Sequence, residues 1–161
     1  MGRKSNVLKK VLKALVSMIL IFMFAFLVNI NIGNLGYLSL ADYAIMSFLM
    51  VNEPSYAMLV TAIPVTLSDI LLGYKQYCAF TFIIKAIEGY LIVYLRNKNK
   101  NYNLSILIVG LIVLVLQVSL DIYLYGTKIM LTSLLYKSVA MIICIILAGL
   151  TKRFKKKVED R

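Results

Sequence analysis

Six apolar runs separated by short polar interruptions account for most of the chain. They fall at about residues 7–28, 39–52, 55–73, 79–95, 104–125 and 128–151. A helix needs roughly 20 apolar residues to cross a hydrocarbon core, so all but the second run read directly as transmembrane helices. The second is an apolar run of 14 residues, about 21 Å long as a helix, and by length alone it could be re-entrant. Asn29 to Gly36 reads as a Gly/Asn-rich loop. Gly73-Tyr74-Lys75-Gln76-Tyr77 reads as the turn of a helical hairpin. Pro64 should kink the third helix, because it removes an internal hydrogen bond. No internal repeat of fixed period is visible, which argues against an inverted-repeat transporter.

Composition places the chain in lipid. Of its 161 residues, 61% are hydrophobic and 16% charged, whereas soluble domains carry roughly 25% charge. Nothing suggests a second domain. A net charge of +11 invites a nucleic-acid reading, but the charges are placed for a membrane instead. Fourteen of the eighteen Lys and Arg lie before Ala14, within 96–100, or from Lys152 onward. Basic residues flanking apolar runs mark the cytoplasmic side. This bias also settles the second run. Unless it crosses, 96–100 and the basic tail would both face outward. The expected architecture is therefore an all-α integral membrane protein of six transmembrane helices with both termini cytoplasmic. The outer loops then carry only Lys75 and Lys128. The basic, then apolar, N-terminus imitates a signal peptide, but no A-x-A cleavage site follows, so it is retained as a helix.

Five charged residues look buried within the later runs: Asp69, Lys85, Glu88, Asp121 and Lys137. Charges in hydrocarbon cost about 2.5–3.5 kcal/mol on insertion scales and generally line cavities or pair. Counted from the outer helix ends, Asp69 is about 6 Å deep, Lys85 about 9 Å and Glu88 about 13 Å. Lys137 comes out level with Glu88, and Asp121 sits near the outer end of its helix. All five fall in the outer half of the bilayer, as an outward-opening polar pocket requires. Glu88 and Lys137 are the expected ligand-binding pair, with Tyr136 beside them. Asp69 and Lys85 could simply neutralise each other as a structural charge pair. Tyr74 and Tyr77 could be interfacial belt residues or a lid. Cys78 and Cys144 differ in depth, so no disulfide is expected. Without His or clustered Cys there is no zinc motif, and no cofactor is expected.

One segment also carries a resemblance. SDILLGYKQYCAFTFIIKAIEG (68–89) resembles the third and fourth helices of substrate-binding (S) components of energy-coupling-factor (ECF) vitamin transporters. GYLSLADYAIM (36–46), with Gly36, Tyr37 and Asp42, and LDIYLYGTKIMLTSL (120–134), with Asp121 and the Tyr125-Gly126 turn, extend the likeness in order. It implies a six-helix fold and a vitamin bound near the outer surface, between the first loop and helices 4 to 6. It implies further that the protein docks on a transmembrane coupling subunit driven by two cytoplasmic ATPases. Glu88 falls on a family acid, and Tyr74 and Tyr77 on the family's aromatic turn. The chain departs from the family at Leu135-Tyr136-Lys137, where Pro-Gly-Asn is usual, so a cation replaces a ligand-binding amide. Lys75 and Cys78 replace two prolines of the turn. On helix 1 the docking face of small residues four apart survives only in part, as Ala14 and Met18.

The expected function is substrate capture for an ECF-type transporter in a bacterial or archaeal cell membrane. The resemblance points to the branch taking hydroxymethylpyrimidine or pyridoxine-like compounds. The candidate substrate residues are Glu88, Lys137, Tyr136, Lys85, Tyr74, Tyr77 and Asp121. The chain has no G-x-x-x-x-G-K-[ST] phosphate loop, so ATP hydrolysis falls to partners. A membrane enzyme acting on lipids would need a nucleophile-base or metal constellation, and the sequence presents none. The remaining alternative is a small assembly or scaffold protein whose intramembrane charges only pin helices together.

Overall fold

The computed structural model describes residues 2–31, 37–98 and 101–159. Parts of the loop before Gly36 and of the 96–100 stretch, including Asn34 and Asn99, lie outside the described residues. The order of elements is α1 (Gly2–Leu27), β1 (Asn29–Asn31), β2 (Tyr37–Ser39), α2 (Ala41–Phe48), α3 (Pro54–Leu71), α4 (Cys78–Lys98), α5 (Tyr102–Tyr125) and α6 (Met130–Glu159). A 3₁₀ turn, Thr127–Ile129, leads into α6. Five helices are long and apolar enough to cross a membrane. The expected loop after α1 holds a small antiparallel hairpin instead, with Asn29 opposite Ser39 and Ile30 opposite Leu38. Helix α6 runs past the expected end at residue 151, because its Lys-rich tail is made of good helix formers.

Two glycines make the outer turns. Gly73, with φ +86°, ends the α3 side of one hairpin, and Gly126, with φ +85°, separates α5 from α6. Both occupy the left-handed region that costs a Cβ-bearing residue about 1–2 kcal/mol. Pro54 sits in the first turn of α3, where its missing N–H is harmless, whereas Pro64 lies mid-helix as expected.

The second run crosses, but not as a 14-residue helix. Only eight residues are helical, about 12 Å of rise. The chain nevertheless descends the whole length of α1. At the outer end Leu40 N–H bonds Val28 O, and at the inner end Glu53 pairs with Lys10. Those two levels are about 27 Å apart along α1. Between them the chain is extended after Phe48, and its freed peptide groups need partners that hydrocarbon cannot supply. Ser17 Oγ accepts from Met50 N–H (3.0 Å) and donates to Phe48 O (3.1 Å). The Arg96 guanidinium donates to the carbonyls of Leu49 and Val51, Asn97 donates to Asn52 O, and the Tyr102 hydroxyl donates to Met46 O. Side chains from α1, α4 and α5 thus satisfy this backbone in place of a longer helix.

The helices close a ring in which α1 packs on α3, α3 on α4, α4 on α5, α5 on α6, α6 on α2, and α2 back on α1. The α3–α4 contact is the closest. A Cβ on Gly89 would lie 2.3 Å from Thr61 Oγ1 and 2.7 Å from Ala57 O, so only glycine allows this approach. Along α1, Ala14, Ser17, Ile21 and Ala25 face the bundle, while Leu8, Leu12, Leu15, Ile19 and Met23 are exposed to lipid. Exposed apolar side chains over the rest of the surface fit the same solvent.

Candidate functional site

In its outer half the ring encloses a cavity of about 80 Å³. Helices α2 and α4 contribute Asp42, Thr81 and Lys85 to its lining, and α5 and α6 contribute Gln117, Asp121, Tyr136 and Lys137. Tyr77, in the α3–α4 turn, lines it as well, while Val65, Ile84, Leu120 and Ala140 supply apolar wall.

Two ion pairs organise the polar lining. On the α2/α4 side the Lys85 ammonium bonds Asp42 and, 2.8 Å away, Glu88 Oε2. Glu88 is three residues along α4 from Lys85, which places both on one face of the helix. The height of Lys85 is fixed by α3, since Thr61 Oγ1 donates to its carbonyl at 2.7 Å. Across the cavity, Lys137 Nζ lies 2.7 Å from Asp121 Oδ2 and donates to Gln117 O at 3.0 Å. Asp121 Oδ2 also accepts from Ser133 Oγ and from the Tyr136 hydroxyl (2.9 Å). Gln117 joins the two sides, because its side chain donates to Asp42 Oδ2 at 3.4 Å. Glu88 is fully buried and Asp121 is 1% exposed, a depth at which unpaired carboxylates would be prohibitive.

An ammonium has three donors. Lys85 has two committed to carboxylates, and Lys137 has two committed to Asp121 and Gln117 O. Each can therefore offer one N–H to a guest. The Tyr136 ring lies beside Lys137, its centroid 5.9 Å from Nζ, and adds an aromatic face to the same wall.

Above the cavity, the Tyr77 hydroxyl donates to Tyr125 OH at 2.7 Å, and Gln76 Nε2 donates to the same oxygen at 3.1 Å. These bonds tie the α3–α4 turn to the end of α5. Burial, followed by the bond to Tyr125, pushes the Tyr77 phenol well above its ordinary pKa, so it stays a donor.

The structure rearranges the partners expected from sequence. Lys85, Asp121, Tyr136, Lys137 and Tyr77 come together around one cavity. Glu88 and Lys137 do not pair. Glu88 holds Lys85 from outside the lining, and Lys137 belongs to Asp121. The ion-pair partners of Lys85 are Asp42 and Glu88 rather than Asp69. Asp69 is buried at the outer end of α3, where its carbonyl accepts Tyr74 N–H at 2.8 Å. Tyr74 packs edge-on against Tyr77, with centroids 6.4 Å apart, and is not part of the lining. On α1, Ala14 is 6% exposed and Met18 packs against the core, so the expected docking seam is turned inward. The small residue serves internal packing, because α2 and α3 approach α1 on that side.

Sequence reasoning passed over Asp42, Gln117 and Ser133 as site residues. The signal for Asp42 was present, since it is the sole charge in the apolar run 39–52, and an intramembrane acid is a functional candidate by default. Gln117 and Ser133 are uncharged residues in long apolar helices, and only their spatial neighbours single them out.

The family model for the ECF-type riboflavin transporter S component matches residues 4–155. No curated protein and no solved structure matches the chain. With nearly its whole length matched, the chain belongs to the family of ECF-type transporter S components, multi-pass membrane proteins that form the substrate-binding part of such transporters.

Proposed function

We propose that this S component captures a vitamin or vitamin precursor built on a single heteroaromatic ring, of the hydroxymethylpyrimidine or pyridoxine kind. The observation that carries this reading is the cavity itself. It presents two ammonium donors on opposite walls, carboxylates beside each of them, and the Tyr77 and Tyr136 rings. A flat ring with acceptors on opposite edges would take one N–H from Lys85 and one from Lys137 while packing on Tyr136. At about 80 Å³, the space lies below the ~300–1,000 Å³ of pockets for drug-sized ligands. That favours one ring over the three fused rings of riboflavin, the compound in the family description. The Tyr77–Tyr125 contact covers the captured ring from outside. Transport is then powered by the coupling subunit and ATPases that S components work with.

A second reading, a scaffold whose charges only pin helices, draws on the fact that both lysines are already paired. Calorimetric titration of the purified protein with hydroxymethylpyrimidine, pyridoxine and riboflavin separates the cases. Saturable binding of a one-ring compound at micromolar or lower Kd, abolished by Lys137→Met, supports the proposal. Tighter binding of riboflavin replaces the substrate, and binding of none of the three favours the scaffold.

A further inference from the structure

The two walls of the cavity do not balance in charge. Three carboxylates, Asp42, Glu88 and Asp121, surround two ammonium groups, Lys85 and Lys137. No ammonium on the cavity is without an acid: each lysine is held by at least one carboxylate, and Lys85 by two. The donors left for a guest are thus one N–H per lysine, set in a field that is negative on balance.

We propose that the site selects by charge, admitting neutral and cationic ring compounds and rejecting the phosphate esters of the same rings. This inference rests on the capture reading above. A phosphate monoester carries about −1.5 to −2 charges at neutral pH and three strong acceptor oxygens. Binding it here would strip its hydration without supplying an uncommitted cation, and would set it beside carboxylates of like sign. Like-charge juxtaposition of this kind costs several kcal/mol. A neutral ring meets no such penalty, and an amine or protonated ring nitrogen gains from the acid excess. The protein would therefore take up dephosphorylated compounds, and a kinase-type reaction in the cytoplasm would have to supply any phosphorylated form.

The test uses matched pairs, so that charge is separated from ring identity: hydroxymethylpyrimidine and its monophosphate, pyridoxine and its 5′-phosphate, riboflavin and its 5′-phosphate. Each is titrated into the purified full-length protein. Whichever ring binds, its ester should bind about 100-fold more weakly or worse. A gap below about 10-fold overturns the inference while leaving vitamin capture intact. Failure of all six compounds to bind overturns both. Two variants distinguish charge from bulk. Asp121→Asn frees the Lys137 charge within the lining, and Glu88→Gln removes a negative charge from behind it. Each should narrow the gap by about 10-fold. An unchanged gap in the variant that stays folded assigns the discrimination to shape and overturns the proposal.

Discussion

Replacing Lys85 by Met keeps most of the side-chain volume and deletes the charge between Asp42 and Glu88. What remains is two buried carboxylates facing each other. Among the described residues Asp42 then keeps the 3.4 Å bond from Gln117, and Glu88 is fully buried. Removing one partner of a buried ion pair costs about 3–5 kcal/mol, because the other is left uncompensated. Here two acids are stranded, so the upper end applies. For a chain of this size each kcal/mol lowers Tm by about 2–4 °C, which gives a drop of roughly 10–20 °C. Lys137→Met is the informative contrast. Asp121 would keep the Ser133 and Tyr136 hydroxyls as donors, so about 1–3 kcal/mol, or roughly 2–12 °C, is expected. Neutralising the whole first cluster, with Lys85→Met, Glu88→Gln and Asp42→Asn together, should restore most of the loss. The assay is thermal unfolding of detergent-solubilised protein followed by intrinsic tyrosine fluorescence. A Lys85→Met variant melting within about 2 °C of the parent, or a costlier Lys137→Met, would refute the assignment of Lys85 to both acids.

Gly89→Ala should cost about 1–3 kcal/mol by overpacking the α3–α4 crossing. Adding Thr61→Ala should recover only part of it, since Ala57 O stays 2.7 Å from the new Cβ; full recovery would mean that the backbone does not resist. Arg96→Gln should lower stability by about 2 kcal/mol and speed hydrogen exchange in residues 46–53, because two carbonyls lose their donor. Exchange unchanged there would show that other groups satisfy the segment. With both native cysteines replaced, cysteines at Gln76 and Thr127 should react with an impermeant maleimide from outside, and those at Asn6 and Lys98 should not. Outside labelling at Lys98 would remove the crossing made by residues 40–53. Tyr77→Phe deletes the bond to Tyr125 and should speed ligand release about 5-fold, read by rapid dilution; an unchanged off-rate would leave that contact no covering role.

The membrane-spanning segments were legible in the sequence, and their expected orientation follows from it, because both are decided locally. Hydrocarbon thickness acts on each apolar run, and the inner leaflet acts on the basic residues at its ends. The depth of Lys85, Asp121 and Lys137 was legible for the same reason, since rise along a helix is fixed. The choice of partners was not legible. Depth places a charge on a level but says nothing about azimuth, and azimuth depends on how the ring of helices closes. That closure turned Lys137 to Asp121, put Asp42 against Lys85, and left Glu88 behind the lining. It also turned Ala14 inward, where the family resemblance implied a docking face. The short α2 is the plainest instance. Its apolar run is long enough for four turns, yet it unwinds after Phe48, because Ser17, Arg96 and Asn97, far away in sequence, satisfy the released peptide groups. Local pattern fixes which segments enter the membrane. Only tertiary contacts decide which polar groups can afford to be there, since the cost of each depends on a partner that another helix supplies.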